Sequence, residues 1–145
     1  MKSVLIAAAL LLAAPAFAAP SAASLFAAGK YPEAVAAGTT EATAASLVIA
    51  GRAQLQIAAY QTSDKAKARA LIAAANNNFD AALAKAPGNV DATLQKIIAQ
   101  GYVAKLDQSP GGAKAMKKAL DAFLAAHPSD AVAWAVLGGW NGGAV

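Results

Sequence analysis

One eleven-residue stretch occurs twice in this chain. Residues 79–89 read FDAALAKAPGN, and residues 120–130 read LDAFLAAHPSD, 41 positions further on. Each copy has an apolar residue, Asp-Ala, an apolar pair ending in Leu, Ala, two spacers, Pro, a small residue and then Asn or Asp. Pro ends a helix because it has no N–H to continue the ladder. Asn or Asp just beyond it caps the next helix. A helix therefore ends and another begins, twice, in the same way. A helical turn recurring at a fixed offset points to helix pairs stacked in series.

Composition favours the same class. Apolar residues make up 58% of the chain, but Ala supplies roughly a third of all residues. Ala forms helices readily yet buries little area. Such helices pack closely and cannot fill a wide core. No stretch alternates apolar and polar residues convincingly, so strands are not expected.

Residues 1–18 have the three parts of a secretory signal peptide. Lys2 supplies the positive charge. An apolar run over 4–14 is too short to span a bilayer core of about 30 Å. Pro15 ends it, and Ala16-Phe17-Ala18 gives a small-x-small cleavage site. Cleavage after Ala18 leaves a domain over 19–145, exported to the periplasm by default and secreted as second choice, with no stable membrane insertion. The chain has no Cys, which removes disulfides and a lipid-anchored cysteine. Without Lys2, 11 basic residues face 8 acidic ones. That is mildly basic and falls short of a nucleic-acid-binding patch.

In chain order, 21–38 reads as a short helix pair: Ser21 caps, Gly29 breaks, Pro32 sits in the second first turn, and Gly38 with Thr39 and Thr40 stops it. A third helix covers 43–60. Leu47, Ala50, Gly51, Leu55 and Ala58 form its inner face, Arg52 and Gln56 the far side, and Ile49, Ile57 and Tyr60 a second apolar flank. Ser63 or Asp64 caps a fourth helix over 65–86, kept as one helix through Asn76, Asn77 and Asn78 because its stripe of Leu71, Ile72, Ala75, Phe79, Ala82 and Leu83 stays in phase. Asn89 or Asp91 caps a fifth over 92–106, with Leu94, Ile97, Ile98 and Tyr102 on its stripe. Residues 107–112 read as a loop. A sixth helix, 113–126, buries Met116, Leu120, Phe123 and Leu124. Ser129 or Asp130 caps a seventh, from Ala131.

These residues resemble a known family. Ala75, Phe79, Ala82, Leu83 and Pro87 match the second helix of a tetratricopeptide repeat. Trp134, Leu137 and Gly138 match the opening of its first helix, and Leu47, Ala50 and Gly51 are a looser version of that opening. Gly29-Lys30-Tyr31-Pro32-Glu33-Ala34 resembles the turn inside one repeat. The resemblance implies an all-α, right-handed helix-pair solenoid of two to three repeats. In it, small residues at 75, 82 and 138 let backbones approach while Phe79, Leu83 and Trp134 fill the gaps. The chain departs from the family in period, 41 against about 34 residues, and in the middle repeat, where Thr93 and Lys96 stand at the Trp and Leu positions. Stepping back from Trp134 by 41 twice reaches Arg52 and not Leu47, so two registers are open for the third helix. The seventh helix has no successor, which reads as a domain incomplete at its C-terminus or one covered by a partner. An unrelated Ala-rich helical bundle is the alternative fold.

Chemistry is sparse. A single His and no Cys exclude most metal sites and Cys-His nucleophiles. His127, beside Pro128, suits the C-terminal end of a helix dipole. Ser109-Pro110-Gly111-Gly112-Ala113-Lys114 lacks most of a phosphate-binding loop. No enzyme activity, catalytic residue, cofactor or metal is expected. Because tetratricopeptide-like repeats line their concave groove with the first helix of each pair, the resemblance implies a scaffold that binds another protein or a peptide segment. It points to Arg52, Gln56, Asp91, Leu94 and Tyr102 as groove residues, with Arg52 buried instead in the other register. The second reading is an Ala-rich structural protein contacting an anionic envelope surface through two basic faces: Lys65, Lys67 and Arg69, and Lys114, Lys117 and Lys118.

Overall fold

In a computed structural model that describes residues 19–142, the chain forms seven α-helices and, among the described residues, no strand. They are α1 (Ala22–Ala27), α2 (Tyr31–Glu41), α3 (Ala44–Tyr60), α4 (Lys65–Lys85), α5 (Val90–Leu106), α6 (Pro110–Ala126) and α7 (Ala131–Asn141). The leader expected over 1–18 lies outside the described residues. Connections of two to four residues turn each helix back against the one before it. Each helix packs on its successor, and α1 touches α3 and α3 touches α5 across the intervening helix.

The caps are local chemistry. Ser21, Thr43, Asp64, Asn89, Ser109 and Asp130 each accept a hydrogen bond from a backbone N–H in the first turn that follows, satisfying donors the helix cannot. Where the sequence left two cappers open, Asp64, Asn89 and Asp130 are the ones used. At the start of α3, Thr43 and Ser46 form a reciprocal capping box.

Two boundaries differ from expectation. Gly38 does not stop α2, which runs on to Glu41 and ends at Ala42 in the left-handed conformation. Gly38 is buried, and a Cβ there would come within 2.5 Å of the Ser46 carbonyl oxygen on α3. The glycine serves close approach of two helices and not termination. Nor is 107–112 all loop. Pro110 sits in the first turn of α6 behind its cap, Ser109, so Gly111 and Gly112 are helical. A Cβ on Gly112 would stand 3.1 Å from the Cβ of Ala104 on α5.

The core is a row of two clusters. Leu47, Val48, Leu55, Ile72, Phe79 and the alanines around them join α3, α4 and α5. Leu94, Ile97, Met116, Leu120, Phe123, Leu124 and Ala133 join α5, α6 and α7. Ile98 packs against both. Helix α5 divides them by face: Ala92 and Ala99 on one side, Leu94 and Ile97 on the other. The Asn run in α4 is held because Asn78 donates through Nδ2 to Oε1 of the buried Gln54, at 2.9 Å. Among the described residues, no buried side-chain polar atom lacks a hydrogen-bond partner.

The expected gap-filling role of Trp134 is not met. Its side chain is 52% exposed, and its Nε1 donates to the Pro128 carbonyl at 2.8 Å, pinning the α6–α7 turn. Val136, Leu137 and Trp140 pack on the second cluster in its place. His127 is the C-cap residue of α6, its ring 4.6 Å from that of Phe123.

Candidate functional site

Helices α3 and α5 lie side by side and run in the same direction. Arg52 approaches Asp91, and further along Tyr60 adjoins Tyr102. These partners are separated by 39 and 42 positions, on either side of the 41-residue offset in the sequence. The face they share carries the candidate site.

Its first half is polar. The Arg52 guanidinium lies over the ring of Phe26 in α1, 4.9 Å from its centroid, and Nη1 is 4.0 Å from Oδ2 of Asp91. The other Asp91 oxygen accepts from Nε2 of Gln95 at 3.2 Å. A cation held over an aromatic face and beside a carboxylate is oriented without being withdrawn from water. Arg52 keeps 38% of its side chain exposed, while Leu47 and Gly51 are buried. Of the two registers open for the third helix, this is the one that points Leu47 and Gly51 inward.

The second half is aromatic. Tyr60, on the last turn of α3, is 76% exposed, contrary to its expected place on a packed flank. Tyr102 is half-buried beside it. Burial of the phenol, and then the neighbouring Tyr60 hydroxyl, push the Tyr102 pKa up to about 12.

Two openings flank this pair. One, of about 180 Å³, runs from Tyr60, Tyr102 and Lys105 past Ile98 to Val136 and Gly139 of α7, over Met116. The other, of about 270 Å³, lies between the last turn of α3, the first turns of α4 and the end of α5. The Arg69 guanidinium of α4 donates through two nitrogens to the carboxylate of Asp107, the residue whose backbone N–H caps the end of α5. These bonds and the charge on Asp107 raise the Arg69 pKa further.

Of the five residues expected in the groove, Arg52, Gln56, Asp91 and Tyr102 reach the surface along the α3–α5 face. Leu94 does not. It is 2% exposed and belongs to the second core cluster, so it is corrected from a contact residue to a core residue. Periodicity marked Leu94 as apolar but could not say whether another helix covers it. Tyr60 and Lys105 are the residues that sequence reasoning missed. Tyr60 gave a signal, being a large aromatic at the end of a helix just before a polar turn. Lys105 gave none.

The basic faces are partly neutralised. Arg69 pairs with Asp107 and Lys117 with Asp121 four residues on; away from both faces, Lys96 pairs with Asp80. Among the described residues, no group of three His, Asp or Glu side chains could hold a metal ion. No described helix is long and apolar enough to cross a membrane. No protein-family model, curated protein or solved structure matches the chain.

Proposed function

We propose that this protein is an exported binding module, a right-handed helix-pair solenoid similar to tetratricopeptide repeats, that holds a segment of another protein along the face shared by α3, α5 and α7. In this reading it is not an enzyme, and it acts in the periplasm, with secretion as second choice. The observation that carries the proposal is the cleft lined by Tyr60, Ile98, Tyr102, Lys105, Val136 and Gly139. Residues from alternate helices converge there on one surface, which is what a stack of helix pairs offers to an extended or helical segment. Tyrosines suit such a surface, because each presents a large apolar ring with a polar tip. Arg52, Gln56 and Asp91 extend the same face with groups that can pair with a segment's polar side chains and backbone. The parallel course of α3 and α5, with contacts close to 41 residues apart, supports the solenoid reading over an irregular bundle.

The basic-face reading has less support. Two of its six cations, Arg69 and Lys117, already face carboxylates, so the charge left for an anionic surface is smaller than the sequence implied.

Selection from a random peptide display library tests the proposal. Enriched peptides sharing a motif should bind the wild-type protein saturably, and Tyr60→Ala with Tyr102→Ala should weaken them at least tenfold. Arg52→Glu should change which charged positions are preferred. Enrichment of no motif, or of peptides indifferent to all three substitutions, would sink the groove assignment.

A further inference from the structure

The second opening, at the α3–α4 turn, has a different chemistry from the long face. Its inner walls are aliphatic: Ala58, Ala68, Ile72 and Leu106, with Ala68 and Ile72 at 2% and 1% exposure. The rings of Tyr60 and Tyr102 form one side. Lys65 and Lys105 line it as well, both exposed, and neither is in an ion pair among the described residues. One carboxylate is present, that of Asp64. Its Oδ1 is already engaged by the backbone N–H groups of Ala66 and Lys67 at 2.8 and 3.1 Å, as the cap of α4. The crevice thus has an apolar interior, two ammonium groups and one carboxylate, a surplus of one positive charge.

We infer that this crevice is a binding site for a small amphipathic monocarboxylate, with a body the size of one aromatic ring or a short acyl chain. Three features set the class. About 270 Å³ is below the roughly 300–1,000 Å³ of drug-sized pockets, so the ligand is small. The aliphatic and aromatic walls favour an apolar body, which gains by leaving water. The surplus charge matches one carboxylate, held by Lys65 and Lys105 with a hydroxyl donor from Tyr60. This site does not depend on the peptide-binding reading. Lys65, Ala68 and Ile72 line this opening and not the cleft shared with α7.

The test is a titration of the isotope-labelled protein with benzoate, followed by backbone amide NMR shifts, with benzamide and acetate as comparisons. Benzoate should give saturable shifts centred on Tyr60, Ser63, Lys65 and Lys105. Benzamide lacks the charge and acetate lacks the ring, so both should bind at least tenfold more weakly. Lys65→Gln with Lys105→Gln should weaken benzoate at least tenfold while leaving the remaining spectrum in place, and Lys65→Gln alone should leave any selected peptide bound. The inference is overturned if benzoate shifts do not saturate or centre elsewhere, if benzamide binds as well as benzoate, or if the double variant binds benzoate unchanged.

Discussion

Gly51 in α3 stands directly against the ring of Phe79 in α4: a Cβ at Gly51 would lie 2.3 Å from Cε1 of that ring and 2.6 Å from Cζ. Phe79 is fully buried, so its ring has nowhere to retreat. The pair sets how closely α3 and α4 approach, and these two helices hold most of the first core cluster.

Gly51→Ala should therefore destabilise the protein, even though Ala is the better helix former by about 1 kcal/mol. Overpacking of this kind costs about 1–3 kcal/mol before that gain is set against it. Adding Phe79→Leu should recover part of the loss, since the two residues share one space. Urea denaturation of both single variants and the double measures the coupling, and strictly additive losses would show that the ring is not the obstacle.

Ser46 links α2 to α3. Its buried hydroxyl donates to the Gly38 carbonyl at 3.0 Å and accepts from the Thr43 N–H at 3.0 Å. Ser46→Ala removes both bonds and leaves the Thr43 donor without its cap. A loss of about 1–2 kcal/mol is expected in the same denaturation assay. A variant as stable as wild type would mean that the α2–α3 contact rests on glycine packing alone.

Gly138 gives the opposite sign. It lies within α7, and a Cβ there would meet no atom within 4 Å. Gly138→Ala should stabilise the protein by about 0.5–1 kcal/mol through helix propensity. A thermal melt that moves down in place of up would reveal a neighbour on that face.

Tyr102 predicts a dependence on alkaline pH. Its folded pKa, about 12, is above the ordinary value of about 10, so the fold favours the neutral phenol. That contribution is intact below about pH 10 and is lost as pH rises towards 12. With the side chain partly in water, the loss should be on the order of 1 kcal/mol. Tyr102→Phe should lack this part of the alkaline slope, and phenolate absorbance should lose its latest-titrating step. Identical alkaline slopes in the two proteins would contradict the assignment.

Local chemistry was legible in the sequence. Capping residues, helix-ending prolines and the phased stripe through Asn76, Asn77 and Asn78 act within a few residues of themselves, so the seven helices and the all-α class follow from short-range patterns. The sixth helix buries the four residues its periodicity named, Met116, Leu120, Phe123 and Leu124. Glycines were misread where their reason is a neighbouring helix. Gly38 reads as a stop and Gly112 as part of a loop, because only the approach of α3 or α5 shows what a missing Cβ is for.

The surface divides along the same line. The sequence by itself determined which residues are apolar, which cap, and that a helical turn returns after 41 positions. Only the tertiary structure decided that Leu94 is covered, that Trp134 and Tyr60 are not, and that Tyr60, Tyr102 and Lys105 stand together. Periodicity fixes the face of a helix on which a side chain lies. Whether that face meets water or another helix depends on residues far away in the sequence, and on how near their small side chains let the backbones come.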